Sequence, residues 1–309
     1  MARRRRGRPI DGILILDKPA GVTSNKALQR VKYLFKAAKV GHTGSLDPLA
    51  SGVLPLCFGE ATKLSQFLLD ADKVYDSTFV LGVATTTGDA EGEERSSAGA
   101  GDVTRDRLDA AVALFTGAID QVPSMYSAIK HEGQPLYALA RQGIEVPRKS
   151  RRITVHSYEI IDFRPGARAE VDVRVHCSKG TYIRSLAEDL GESLGCGGHV
   201  SRLRRIQSGP FALEHAVGLP VLESLRERGE DASMDSLLLP SQRALVDMPQ
   251  VTLSESAGFY LRRGQAVLVP NAPGDGMVRC SLEDGEFLGI GEILDDGRIA
   301  PRRLMVTTG

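Results

Sequence analysis

Residues 41–52 read GHTGSLDPLASG and combine three glycines with three hydroxyl side chains, His42 and Asp47. Glycine permits tight turns and close approach of the backbone to a ligand, so this stretch predicts a loop at a binding site. Asp47 lies between a leucine and a proline, and its spacing alone favours a turn residue over a chemically active carboxylate. By the same reasoning, His42 is either a site residue or a side chain that satisfies a backbone carbonyl.

The elements that flank this loop predict an α+β fold. Residues 12–17 are rich in Ile and Leu and predict a buried strand, and residues 24–34 repeat apolar side chains at helical spacing. Strands are also predicted at about 76–84, 151–164 and 168–177, and helices at about 60–71, 104–115 and 182–194. Because helices and strands do not alternate regularly, the pattern favours α+β over a doubly wound parallel sheet.

Composition divides the chain into three parts. Residues 1–10 contain five arginines and predict a basic, flexible arm. Residues 11–247 form the predicted main domain, which carries an exposed basic insertion at about 121–150. Over residues 248–309, short apolar runs alternate with Gly, Asp, Asn and Pro turns, which predicts a small β-rich domain.

Two further segments contain candidate site residues. In CSKGTYIRSLAEDLG, residues 177–191, Tyr182 and Arg184 share a face if both lie at a strand end, which suits stacking on a base and pairing with a carboxylate. The alternative is a half-buried tyrosine beside a surface arginine. In KVYDSTFVLG, residues 73–82, Tyr75 is either a stacking platform for a base or a core residue at a strand edge.

The composition excludes several classes of protein. No run reaches the roughly 18–20 apolar residues of a membrane span and no secretory signal is recognised, so we expect a cytoplasmic protein with no membrane partner. The four cysteines lie far apart and the six histidines are scattered, which predicts neither a metal site nor a disulfide framework. The loop at residues 41–52 is not a P-loop, because no Gly-Lys-Ser/Thr sequence follows it, and no cofactor is expected.

Charge is unevenly distributed along a chain that is neutral overall, with 39 basic and 39 acidic residues. Residues 1–80 contain 13 Lys or Arg and 7 Asp or Glu, and residues 130–155 contain 6 and 2. Two basic segments on a neutral chain predict a localised anionic partner such as nucleic acid. A mixed solvated surface is the alternative.

Taken in order, the motifs of the chain resemble those of the bacterial tRNA pseudouridine synthases of the TruB type. They are DKPAG from residue 17, GHTGSLDPLASGVL from 41, KVYDSTFVLG from 73, TTTGDAEG from 85, QVPSMYSAIKHEGQPLYALARQG from 121, CSKGTYIRSLAEDLG from 177 and HVSRLRRIQSGPF from 199. The segment at 121–143 resembles an insertion of the stand-alone tRNA enzymes. The resemblance implies a catalytic domain with a mixed central sheet and flanking helices, followed by a PUA-like RNA-binding domain.

The resemblance also implies an activity, the isomerisation of uridine to pseudouridine at position 55 of the TΨC loop. Asp47 corresponds to the nucleophile, and Arg184 would pair with it and keep its pKa low. Tyr75 would stack on the uracil and is the candidate for removal of the C5 proton. Tyr182 and Leu203 would line the pocket, and no cofactor takes part.

The target uridine must be flipped out of the folded tRNA, and the resemblance implies residues for this step. The implied residues for RNA binding and base flipping are His42, Lys18, Asp89, Arg141, Arg202, Arg204 and Arg205. The expected partner is the T stem-loop of tRNA, without a guide RNA, and the protein is expected to be a monomer. The alternatives are a tRNA-folding protein with little or no catalysis and a guide-dependent relative.

Overall fold

The computed structural model describes residues 7–127 and 129–306, so residues 1–6 of the predicted basic arm lie outside the described residues. Most of the described chain up to residue 218 is organised around one large mixed sheet with the strand order β14-β1-β3-β12-β4-β11-β10-β7. Two short strands extend this sheet, since β13 pairs with β12 and β2 pairs with β3. Strands β1–β14 and β3–β12 pair in parallel, and the other pairs are antiparallel.

The strands of the described residues have the following bounds. They are β1 Gly12–Lys18, β2 Val40–His42, β3 Ser51–Phe58, β4 Lys73–Leu81, β5 Val83–Thr85, β6 Glu94–Ser97, β7 Gly117–Gln121, β8 Lys130–His131, β9 Gln134–Pro135, β10 Arg151–Arg164, β11 Ala169–Cys177, β12 Gly198–Ser208, β13 Phe211–Ala212, β14 Val217–Gly218, β15 Gln250–Leu253, β16 Val267–Leu268, β17 Met277–Leu282, β18 Phe287–Ile293 and β19 Arg298–Leu304.

The α-helices are mostly short and flank the sheet. They are α1 Ser24–Leu34, α2 Ser65–Asp70, α3 Arg105–Leu114, α4 Leu136–Ala140, α5 Ile183–Ser193, α6 Leu219–Glu227, α7 Asp231–Asp235 and α8 Glu255–Arg262. Short 3₁₀ helices occur at Gly59–Leu64, Leu213–His215 and Ser241–Leu245. The α+β class and the mixed central sheet predicted from the sequence are confirmed. No helix among the described residues is long and apolar enough to cross a membrane.

Strand β1 is buried on both faces, which explains its almost continuous run of Ile and Leu. Leu14 and Leu16 belong to the main core, which the large sheet forms with α1, α3, α5 and α6. Ile13 and Ile15 point to the opposite face and belong to a second core. Alternate side chains of a strand leave opposite faces, so both faces must be apolar when both are covered.

The second core joins the large sheet to a separate C-terminal sheet with the order β15-β17-β18-β19-β16. Ile290 of β18 is fully buried in this second core beside Ile13 and Ile15. The junction is also polar, because Lys63 donates to the carbonyl of Leu304 at 2.8 Å. The C-terminal sheet is therefore packed on the large sheet.

The N-terminal segment departs from the prediction of a flexible arm where it is described. Arg8 pairs with Asp235, and its backbone amide donates to the Lys36 carbonyl at 2.6 Å. Ile10 packs against the main core. The expectation of a free arm over residues 1–10 is therefore wrong for residues 8–10, because an ion pair and apolar contact fix them.

Candidate active site

The loop between β2 and β3 is fixed by hydrogen bonds to the start of α1. Ser24 donates its hydroxyl to the Leu46 carbonyl at 3.0 Å and accepts from the Leu46 amide at 2.7 Å. The carbonyl of Asp47 accepts from the amide of Ala50 at 3.1 Å, so Asp47 begins a turn. The predicted turn is present, and the Asp47 side chain is additionally engaged with α5.

Arg184, in the first turn of α5, holds the Asp47 carboxylate. Its Nε lies 2.9 Å from Asp47 Oδ2, and one Nη lies 3.5 Å from the carboxylate of Asp89. The other donor directions are used by the carbonyls of Thr87 (3.0 Å) and Tyr126 (2.9 Å). The side chain of Arg184 is only 5% exposed. A guanidinium held on several sides fixes the orientation of the carboxylate that it contacts.

The pKa of Asp47 is raised above the ordinary value of an aspartate, chiefly because burial disfavours the ionised form. The guanidinium of Arg184 lowers this pKa, and the carboxylate of Asp89 raises it. The ion pair expected from the sequence is present, whereas the low pKa expected with it is not, because desolvation outweighs the attraction. Asp47 therefore takes up a proton at a higher pH than an exposed aspartate does.

A cleft of about 620 Å³ opens over Asp47. The start of α1, the loop 43–50, the loop after β5 and the insertion form its walls, and the insertion contributes Tyr126, Tyr137 and Arg141. The Asp47 side chain is 40% exposed within this cleft. The volume falls within the roughly 300–1,000 Å³ typical of small-ligand sites, so a single nucleoside has room to enter.

Tyr75 does not line the open cleft. It packs against the main core, and its hydroxyl accepts a hydrogen bond from Arg205. Burial raises the pKa of Tyr75, and the Arg205 guanidinium lowers it. Arg205 is 1% exposed and donates to the carbonyls of Val53 (2.7 Å) and Gly44 (3.3 Å). Arg205 therefore links Tyr75 to the loop that carries Asp47.

The three arginines of β12 that the resemblance implied for RNA binding differ in their exposure. Leu203 and Arg205 point inward and are buried, whereas Arg202 is exposed on the opposite face. Arg204 is half-buried, and its guanidinium lies 2.8 Å from the carboxylate of Asp17. The reason is the two-residue period of a strand, which divides neighbouring arginines between its faces.

Lys18 and His42, two other residues expected to contact RNA, differ in whether their side chains reach the cleft. Lys18 is fully buried, donates to the carbonyls of Pro19 and Val22, and has a pKa lowered to about 8, chiefly by burial. Its ammonium does not reach the surface, so it differs from the predicted RNA contact. His42 does line the cleft, and burial lowers its pKa, as does Arg205 to a smaller extent. Within residues 7–127 and 129–306, His42 Nδ1 has no hydrogen-bond partner.

Tyr182 precedes α5 as its N-cap and does not lie at a strand end, which corrects the geometry considered for this segment. Its backbone is held by Gln121, whose side chain accepts from the Tyr182 amide at 2.8 Å and donates to its carbonyl at 3.1 Å. Gln121 and Tyr126 support the site, although neither is predicted from the sequence as a site residue. Both belong to the motif that begins at residue 121. They lie about 60 residues before Tyr182 and Arg184, so no local sequence pattern predicts that they contact these residues.

Asp47, Arg184, Asp89, His42 and Arg141 thus meet around one cleft. Three family models match consecutive parts of the chain. They are the N-terminal domain of TruB family pseudouridylate synthases over residues 32–183, the tRNA pseudouridylate synthase B C-terminal domain over 184–246, and the C-terminal model of pseudouridine synthase II TruB over 249–305.

Two curated relatives, each named tRNA pseudouridine synthase B, match over nearly their full length. The protein of Saccharophagus degradans is 54% identical over 310 residues, which cover 98% of each chain. That of Pseudomonas aeruginosa is 53% identical over 300 residues, which cover 96% of this chain and 97% of the relative. The chain belongs to the TruB family of pseudouridylate synthases. The family expected from the motifs is confirmed.

Two solved structures have the same fold as this TruB family member. An H/ACA RNP bound to a substrate RNA containing 2'-deoxyuridine contains a chain with a TM-score of 0.73 and 25% identity, over 99% of this chain and 92% of that one. A Cbf5–Nop10–Gar1 complex contains a chain with a TM-score of 0.71 and 28% identity, over 96% and 84%.

Proposed function

We propose that this protein isomerises uridine to pseudouridine at position 55 in the T loop of tRNA, with Asp47 as the nucleophile. The observation that carries the proposal is the contact of Asp47 with the buried Arg184 at a cleft, in a chain 54% identical to a tRNA pseudouridine synthase B. The reaction breaks the N-glycosidic bond, turns the uracil and rejoins it through C5. Because it is an isomerisation, it needs no group donor and no net redox change.

Each side chain then has a defined part. Ionised Asp47 attacks the flipped nucleotide, and Arg184 fixes the orientation of its carboxylate. Asp89 holds Arg184 from the other side and so acts as a positioning residue. Tyr75 does not line the open cleft, so its role as the base for the C5 proton requires the flipped uracil to enter beyond the open cleft and reach the hydroxyl that Arg205 positions. Tyr182 and Leu203 complete the inner wall of the pocket.

Base flipping places further demands on the cleft. His42 meets the RNA as a neutral ring, because its lowered pKa keeps the imidazole uncharged at neutral pH. Such a ring can occupy the space that the flipped base leaves by stacking. Arg141 and Arg202 are exposed and contact phosphates, while Arg204, Lys18 and Arg205 support the site from within.

The proposed partner is free tRNA, bound by a monomer without a guide RNA in the cytoplasm. The insertion supports this, because it supplies part of the cleft wall from the same chain through Tyr126, Tyr137 and Arg141. A tRNA-folding protein without catalysis is not favoured, since a carboxylate facing RNA phosphates weakens binding unless it serves chemistry.

The test is tritium release from a tRNA transcript labelled at C5 of its uridines. We expect the wild type to release one equivalent per tRNA from the T loop, and Asp47→Asn to release none while it still binds tRNA. Asp76→Asn, which changes a half-buried aspartate paired with Arg174 outside the cleft, is the matched control and should retain full release. Release by Asp47→Asn, or tight tRNA binding without release by the wild type, would overturn the proposal.

A further inference from the structure

Asp72, His156 and His176 converge on the outer face of the large sheet, away from the cleft. His156 Nε2 lies 3.0 Å from Asp72 Oδ2, and His176 Nε2 lies 3.9 Å from the same oxygen. One donor atom of each of the three residues lies within 4.8 Å of the other two. The two imidazole rings are 4.7 Å apart between centroids.

His156 and His176 lie on the neighbouring strands β10 and β11, and a β-bulge interrupts their register at His156. Val155 is opposite Cys177 and Ser157 is opposite His176, so His156 is an extra residue in β10. On either side of the bulge, the buried residues of β10 are Val155 and Tyr158, three positions apart. The side chains of His156 and Ser157, between them, are on the outer face of the sheet. Bulges re-aim side chains in this way. Alternation after the buried Val155 turns His156 outward, and the bulge adds Ser157 to the same face.

We propose that Asp72, His156 and His176 form a binding site for a divalent transition-metal ion, with Zn²⁺ as the best match. Zinc takes imidazole nitrogen and carboxylate oxygen at about 2.0–2.2 Å, and tetrahedral ligands at that radius lie about 3.4 Å apart. The separations of the two imidazole nitrogens from Asp72 Oδ2, 3.0 and 3.9 Å, lie on either side of this value. Two nitrogen ligands favour zinc over magnesium or calcium, which prefer oxygen ligands only.

The surrounding charges leave these three side chains available to a cation. The neighbouring Asp70 is paired with Lys179 at 2.8 Å, and Arg174 is paired with Asp76 at 2.7 Å. Asp72 contacts the two histidines instead. A simple ion pair would need only one imidazole, whereas two imidazoles and a carboxylate supply three ligands and leave the remaining position to water.

The site is separate from the cleft that contains Asp47. His176 is half-exposed, whereas its neighbours Val175 and Cys177 are buried in the main core. The sulfur of Cys177 therefore belongs to the opposite face of β11. A bound ion would connect the segment before β4 with β10 and β11, so we expect it to stabilise this edge without entering the reaction.

The test is calorimetric titration of metal-free, tag-free protein with Zn²⁺. We expect one equivalent to bind the wild type, and each of Asp72→Asn, His156→Asn and His176→Asn to weaken binding at least about tenfold. The matched controls are His131→Asn, which removes an imidazole from the insertion, and Asp76→Asn, which removes a carboxylate from the same face.

Both controls should bind Zn²⁺ as the wild type does, and circular dichroism verifies that every variant is folded. Zn²⁺ should also raise the melting temperature of the wild type but not of the three site variants. Wild-type binding below one equivalent, or the same affinity in the site variants as in the wild type, would overturn the proposal.

Discussion

At the scale of single residues, the properties of the site follow from competition between burial and charge at Asp47. Burial raises the pKa of its carboxyl group, and the Arg184 guanidinium at 2.9 Å counteracts part of that rise. An aspartate must be ionised to act as a nucleophile, so its activity is lost as the pH falls through the raised pKa. With Asp47 as the proposed nucleophile, we expect the acidic limb of the rate profile to lie above the ordinary aspartate value of 3.8.

Arg184→Met removes the contact that lowers this pKa, so the acidic limb should move to higher pH in addition to a large loss of rate. Single-turnover tritium release between about pH 4 and 8 measures both effects. Arg174→Met, which removes an exposed arginine from the outer face, is the control and should leave the limb in place. An unchanged limb in Arg184→Met would show that Asp47 does not control the profile.

At the scale of elements, the close approach of β3 to β12 depends on Gly52. Gly52 pairs with Arg205 and has φ +101°, and an added Cβ would lie 2.1 Å from the Arg205 carbonyl oxygen. No side chain fits there without moving β12, which carries both Leu203 and Arg205. Gly52 thus permits the pairing of β3 with β12, and this pairing places Arg205 beside Tyr75.

Gly52→Ala should lower the free energy of unfolding by at least about 2 kcal/mol more than Gly229→Ala does. Gly229 has a similar positive φ, +72°, but an added Cβ there meets no atom within 4 Å. The comparison separates the close contact from backbone strain alone. Urea unfolding followed by circular dichroism gives both values, and equal losses would refute the role given to the close approach.

At the scale of the whole molecule, the second core makes the two sheets depend on each other. Ile290 of the C-terminal sheet and Ile13 and Ile15 of β1 are buried in the same cluster. A change in one sheet therefore exposes apolar surface of the other. We expect the two sheets to unfold together rather than in separate transitions.

Ile290→Ala should destabilise the protein by about 2–5 kcal/mol, the range for large-to-small core changes. It should also reduce hydrogen-exchange protection in β1, although β1 lies far from it in sequence. Leu268→Ala, in the same sheet but 71% exposed, should change the free energy of unfolding by less than about 0.5 kcal/mol. Loss of protection confined to residues 250–304 would argue against a shared core.

Salt dependence is also a property of the whole RNA-binding surface. Arg141 and Arg202 are exposed, so each should release counterions when it meets a phosphate. Arg141→Gln and Arg202→Gln should each reduce the slope of log affinity against log salt by about one. Arg168→Gln, which removes an exposed arginine paired with Glu94, is the control and should leave the slope unchanged.

The sequence by itself determined the features that depend on local pattern and ordered motifs. A run rich in Ile and Leu predicted β1, and apolar side chains at helical spacing predicted α1, because burial of an element selects apolar residues at the positions that face the core. The order of the motifs predicted the family, and the glycines around Asp47 predicted a loop at a site. These conclusions need only neighbours in sequence.

Only the tertiary structure decided how charged side chains are shared between surface and interior. Bulges and strand pairing placed Arg205 inside and Arg202 outside, buried Lys18, and brought His156 and His176 together from strands that spacing does not connect. The raised pKa of Asp47 has the same origin. Desolvation depends on everything packed around a group, and that packing comes from segments far apart in the chain.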